Sequence, residues 1–114
     1  MNDRTRTLLE YMLENAIEAS EFANDAGSLE VFSNDSKTRK AVVMSLLNIG
    51  EQANHLPDSY TGAHPELPWR AMIALRNIAA HGYQSMSDDA IWDTVQKDLP
   101  GLITFLRDQL DSSL

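Results

Sequence analysis

The chain has 114 residues, no cysteine, 43% hydrophobic residues and a net charge of −8. That length fits one domain, residues 1–114, large enough for a helical core but small for a solitary enzyme with a deep pocket. The missing cysteines exclude disulfides and thiolate metal sites, and the acidic balance argues against a broad nucleic-acid-binding surface, whose affinity comes from neutralising phosphates with Lys and Arg.

Over residues 5–24 the apolar positions Leu9, Met12, Leu13, Ala16, Ile17, Ala19 and Ala23 recur at three- and four-residue steps, predicting a long amphipathic helix that Gly27 ends. Ser28 is placed to cap a short helical turn or docked loop carrying Leu29, Val31 and Phe32. Asp35 or Ser36 then caps a second long helix, whose Val42, Leu46, Ile49, Ala53 and Leu56 keep the four-three spacing of bundle packing. Residues 57–68, with three prolines and Gly62, read as a surface connection, and Pro68 opens the next helix. After Gly82, Ser87 reads as an N-cap with Asp88 and Asp89 in the first turn. Ile91, Trp92, Val95, Leu99, Leu102, Leu106 and Leu110 share one side of the last helical region, which Pro100 breaks or kinks. No strand alternation and no internal repeat is visible. The expected architecture is an all-α up-and-down bundle of four to five helices. The longest apolar run, AVVMSLLNIG, falls well short of the ~20 residues that span a bilayer. The N-terminus MNDRTRTLLEY lacks a signal-peptide profile, so a soluble cytoplasmic protein with no membrane partner is expected.

Residues 69–83, WRAMIALRNIAAHGY, organise the rest. Wound as a helix, this stretch is apolar on both sides: Trp69, Met72, Ile73, Ala79 and Ala80 on one, Ala71, Ala74, Leu75 and Ile78 on the other. Such a helix must be covered on both sides. Arg76 falls about 20° from Trp69 and so shares a stripe with Met72 and Ile73 and not with solvent, where a guanidinium needs a carboxylate, a phosphate or a wet cleft. Gly50 and Glu51 interrupt the apolar run of the preceding helix. A helical glycine costs up to about 1 kcal/mol against alanine, which implies close approach of another backbone or a side chain. Glu51 is the candidate partner of Arg76, with a solvated helix face as its alternative.

The candidate cations for a local RNA contact are Arg4 and Arg6, the cluster Lys37, Arg39 and Lys40, and the pair Arg70 and Arg76. The acidic total also suits docking to a basic partner protein, or simple solubility, and DNA is not an expected partner. Arg76 and His81 lie five positions apart, about 140° around an ideal helix, so they converge only through fraying at the helix end that Gly82 favours. The competing reading is structural: Arg76 pairs with an acid and His81 caps the last carbonyls. Asn77, four residues before His81, is within hydrogen-bonding reach of it on a helix. His55 and His64 lack a carboxylate at His-Glu-x-x-His spacing, and no glycine-rich phosphate loop or serine elbow occurs. No metal and no cofactor is expected.

Arg76-Asn-Ile-Ala-Ala-His81-Gly-Tyr83 resembles the Arg, four residues, His, one residue, Tyr signature of the HEPN superfamily, specifically the HepT-like toxins of the HepT–MntA toxin–antitoxin type. Ile49-Gly50-Glu51 is similar to that family's Ile-Gly-Glu element. Pro68-Trp69-Arg70 resembles its entry to the motif helix, and Ile91-Trp92 with Asp98-Leu99-Pro100 its final helices. The likeness runs over residues 41–106.

The resemblance implies a homodimer, or a dimer-based oligomer, with motif helices facing each other across a two-fold cleft, and a metal-independent endoribonuclease there. His81 would shuttle the proton of a ribose 2′-hydroxyl and Arg76 would stabilise the charge developing on phosphate, with Glu51, Asn77 and Arg70 in support. It further implies a nucleotidyltransferase antitoxin that transfers AMP from ATP to Tyr83, where volume and negative charge would block RNA. The alternative is a noncatalytic HEPN dimer that binds substrate or partner for a nucleotidyltransferase. A third reading makes the Arg76–Glu51 pair purely structural.

Overall fold

Asn2 and Gly27 bracket the first helix. In a computed structural model, which describes residues 1–81 and 86–112 but not the side chains of 78–81 and 112, α1 spans Asp3–Ala26. The Asn2 side chain accepts the Thr5 N–H at 2.8 Å, and Gly27 turns the chain with φ of 84°, its N–H donating to the Ala23 carbonyl at 3.2 Å. The helix is thus longer at both ends than residues 5–24, because both terminators lie outside the apolar stripe. Leu9, Met12, Ala16, Ala19 and Ala23 are buried as the spacing predicts.

Ser28 caps a short α2, Leu29–Ser33, which buries Phe32 against Trp92 with ring centroids 5.5 Å apart. Asp35, rather than Ser36, caps α3, Ser36–His55: its carboxylate accepts both the Thr38 N–H at 3.1 Å and the Thr38 hydroxyl at 2.6 Å. These bonds to the ionised form hold the Asp35 pKa below its ordinary value, the side-chain bond from Thr38 first. Val42, Leu46, Ile49, Ala53 and Leu56 are all buried.

The connection 57–68 contains structure that its prolines concealed. Pro57 starts a short α4, Asp58–Ala63, and Tyr60 turns back onto the body of the protein. The Tyr60 hydroxyl donates to Gln109 at 2.9 Å, and the Trp69 indole N–H donates to the His64 carbonyl at 2.9 Å. Tyr60, His64, Trp69 and Phe105 form a chain of ring contacts, so the segment is docked rather than loose.

Helix α5 spans Trp69–His81, with the carbonyl of Pro68 accepting the Met72 N–H at 3.1 Å. Ser87 caps α6, Asp88–Asp93, as expected. Pro100 causes no break. The helix widens into a π-helical turn over Thr94–Asp98 and continues as α7, Leu99–Ser112, with the Leu99 N–H reaching the Thr94 carbonyl five residues back. A widened turn absorbs the N–H that proline cannot supply. Ile91, Val95, Leu99, Leu102, Leu106 and Leu110 are buried along its length.

The described residues are all-α, with no strand among them. Helix α3 lies between α1 and α5, α7 packs on α1, and α2 bridges α3 and α6. Every buried side-chain nitrogen or oxygen among the described residues is hydrogen-bonded. None of these helices is long and apolar enough to cross a membrane.

Candidate functional site

Gly50 sets the site by letting α5 come close. A Cβ at residue 50 would lie 2.4 Å from the Met72 carbonyl oxygen and 2.8 Å from the Arg76 Cβ, which no side chain tolerates without backbone movement. The unexpected helical glycine is therefore the point where α3 and α5 touch. The next residue on α3 then faces the root of Arg76.

That residue is Glu51, and its Oε2 accepts the Arg76 Nε–H at 2.5 Å. Neither partner is deeply buried: the Arg76 side chain is 37% exposed and that of Glu51 34%. The expectation of an arginine hidden from solvent is thus corrected. Trp69 and Met72 on the same stripe are buried, but one turn further Arg76 reaches the lip of the α3–α5 seam, because the wall of the seam there is a glycine followed by a carboxylate. Two further bonds extend the pair. His55 Nε2 lies 3.1 Å from Glu51 Oε1, and Arg76 Nη1 donates to Asn77 Oδ1 at 3.0 Å. The Arg76 guanidinium, and then His55, hold the Glu51 carboxyl below its ordinary pKa. It is therefore an ionised, acceptor-only group, and the imidazole nitrogen facing it must donate.

A guanidinium carries five N–H donors. Here Nε is given to Glu51 and one Nη1 hydrogen to Asn77, and among the described residues the Nη2 edge has no partner. Arg76 thus keeps donors uncommitted among the described residues while one edge is fixed, and it is about one-third exposed, an arrangement suited to a phosphate.

The other anticipated residues fall differently. Asn77 is bonded to Arg76. His81 is the last residue of α5, with its side chain outside the described residues, as are Gly82 and Tyr83. Arg70 is exposed and, six residues before Arg76, points about 120° away around the helix. Within the candidate cluster Lys37, Arg39 and Lys40, Arg39 is used internally: its guanidinium binds the Asp88 carboxylate and donates to the Met86 carbonyl at 2.6 Å. It anchors the start of α6. Arg6 pairs with Glu10 and reaches the Leu110 carbonyl near the end of α7.

His55 joins this site through Glu51, not through any metal-binding spacing. The available signal was Glu51 four residues earlier on the same helix face. Asn48 donates to Asn15 at 3.1 Å, and Asn15 donates in turn to the Tyr11 carbonyl, joining α3 to α1. Among the described residues no group of three or more His, Asp or Glu is gathered for a metal ion.

Apolar surface flanks the site on two sides. Met44, seven residues before Glu51 and so about 10 Å away on the same face of α3, is 57% exposed, and Tyr11 on α1 is 43% exposed. On the other side of α5, Ala71 and Ala74 are exposed and Leu75 is half-buried, so this side of the apolar helix is not covered within one chain. It borders a groove of about 590 Å³ whose walls include Leu46, Ile49, Leu75, Leu99 and Leu102.

The chain is similar to known proteins over most of its length. The family model described as ribonuclease HepT-like matches residues 12–108. The chain is 37% identical over 95 residues to a protein named putative RNase from Methanocaldococcus jannaschii, covering 83% of this chain and 78% of that one. It is 38% identical over 73 residues to a protein named probable ribonuclease HepT from Thermococcus cleftensis, covering 64% of this chain and 66% of that one. No solved structure matches the chain. A matching model over most of the helical bundle, including the Gly50–Glu51–Arg76 seam, makes this chain a member of the HepT-like family of ribonucleases.

Proposed function

We propose that this protein is the toxin of a toxin–antitoxin pair, a metal-independent endoribonuclease that acts as a homodimer through Arg76 and His81. The observation that carries the reading is the Arg76 guanidinium, fixed at Nε by Glu51, about one-third exposed, and with Nη2 lacking a partner among the described residues. In the reaction, the ribose 2′-oxygen attacks the adjacent phosphorus as His81 takes its proton, the bond to the 5′-oxygen breaks, and that oxygen receives a proton. The products are a 2′,3′-cyclic phosphate and a 5′-hydroxyl. Arg76 stabilises the extra negative charge on the phosphoryl oxygens.

The dimer reading is supported by the apolar surface left uncovered beside the site, which an isologous contact would bury. Two copies would bring two arginines into one cleft, a local positive field on a chain of net charge −8. Regulation by a nucleotidyltransferase antitoxin that transfers AMP from ATP to Tyr83 completes the reading, and this line rests on the motif alone.

The test is RNA cleavage by the purified protein in EDTA, with Arg76→Ala and His81→Ala as controls. Cleavage by the wild type, lost in both variants, supports the proposal, and full cleavage by both variants overturns it. RNA binding without cleavage would instead support the noncatalytic module, which the internal neutralisation of Arg76 by Glu51 favours. For the antitoxin line, a mass gain matching AMP on the Tyr83 peptide after co-expression is the supporting result, and an unmodified peptide in a neutralised complex is the overturning one.

A further inference from the structure

His55 stands outside the Arg–His motif, yet it occupies one of the two oxygens of the carboxylate that holds Arg76. A free carboxylate facing a guanidinium tends to a two-bond fork, taking Nε and one Nη together. In this structure the fork does not form. Glu51 Oε1 is 3.1 Å from His55 Nε2, Oε2 alone takes Arg76 Nε at 2.5 Å, and Nη1 turns to Asn77 at 3.0 Å. Glu51 and His55 are one helical turn apart on α3, so the imidazole meets the carboxylate from its own helix while Arg76 meets it from α5.

We propose that His55 is a positioning residue: by donating to Glu51 Oε1 it restricts the Glu51–Arg76 contact to Nε and leaves Nη2 of Arg76, the other donor of a side-on fork, available to a substrate phosphate. This rests on the ribonuclease reading for its consequence in catalysis but not for its geometry. Without the imidazole, Glu51 is free to rotate and accept from Nη as well. Arg76 would then be drawn back against α3 and one phosphate-facing donor would be lost.

The inference separates His55→Ala from His55→Gln. Glutamine keeps an N–H donor that reaches a carboxylate one turn away, whereas alanine supplies none. Both changes fall on a half-exposed side chain and should leave the melting temperature close to that of wild type. His55→Ala should lower kcat about tenfold with KM changed less than about twofold, as for loss of a contact made mainly in the transition state. His55→Gln should recover most of that loss. A crystal structure of His55→Ala reads the geometry without any activity and should show Glu51 accepting from both Nε and Nη of Arg76.

Retention of the single-bond geometry in that structure overturns the proposal whether or not the protein cleaves RNA. Unchanged kcat in His55→Ala, beside lost cleavage in Arg76→Ala, overturns the role of His55 and leaves the ribonuclease reading standing. Absence of cleavage in the wild type overturns the ribonuclease reading, and the crystal structure still decides the geometry.

Discussion

Gly50 and Arg76 touch across the α3–α5 seam so closely that a Cβ on residue 50 would stand 2.8 Å from the Cβ of Arg76. The position of the guanidinium thus depends on an absent side chain as much as on the carboxylate it binds. Gly50→Ala should destabilise the protein by about 1–3 kcal/mol, the usual cost of overpacking, against a gain of up to about 1 kcal/mol from helix propensity. Urea unfolding checks this, and a midpoint above wild type would show that the seam relaxes freely.

Arg76→Lys distinguishes a fork from a point charge. Lysine can replace the attraction to Glu51 but not a planar set of donors held at one edge and open at the other. Arg76→Ala should lower kcat/KM about 10²–10³-fold, as for loss of an electrostatic stabiliser, with Arg76→Lys recovering only a small part. Since the ion pair is about one-third exposed, the melting temperature should move little in either variant, surface pairs contributing about 0–1 kcal/mol. A large fall in melting temperature with cleavage intact would make the pair structural only.

Glu51 gives a pH dependence of known sign. Its carboxyl is held below the ordinary value of 4.5, first by the hydrogen bond from Arg76 and then by that from His55. A carboxylate depressed in the folded state contributes stability that is present above its unfolded pKa and lost as pH falls through the folded value. The stability difference between wild type and Glu51→Gln should therefore be constant through neutral pH and shrink only in acid below 4.5. Paired denaturant titrations across that range check it, and a difference that shrinks instead on the alkaline side would contradict the sign.

Tyr60 should titrate late. Burial in the α4 cluster, and to a lesser extent the charge of Glu66, push its phenol up from 10.0 to about 12. A raised pKa in the folded state means that the contribution of the neutral phenol is fully present below the unfolded value and is lost as pH rises from 10 toward 12. The difference between the ultraviolet phenolate titrations of wild type and Tyr60→Phe should rise near pH 12 and be flat near pH 10. Identical curves for the remaining tyrosines and for Tyr60 would show the docked segment to be open.

The helical framework was legible because its signals are local. Ser28, Asp35 and Ser87 cap helices that start one residue later, and Gly27 and the four-three apolar spacing of α3 act within a turn or two. The Gly50 anomaly and the single acid beside it also pointed correctly to a close neighbour and to Arg76. Less visible were contacts whose partners lie far along the chain. Arg39 is claimed by Asp88, forty-nine residues away, and Tyr60 by Gln109, also forty-nine away. No periodicity encodes such pairings.

The sequence by itself determined the long helices, where most of them start, most of the residues they bury, and that an arginine in an apolar stripe needed an acid. The tertiary structure decided which of the available groups meet. It placed Arg76 at the exposed lip of the seam rather than beneath it, added His55 to the far oxygen of Glu51, docked α4 through rings, and widened the turn before Pro100 in place of a break. The physical reason is one of range. Capping and amphipathic spacing act within one helix, whereas the choice of hydrogen-bond partner for a guanidinium depends on how two helices approach, and that approach was set by a side chain missing at Gly50.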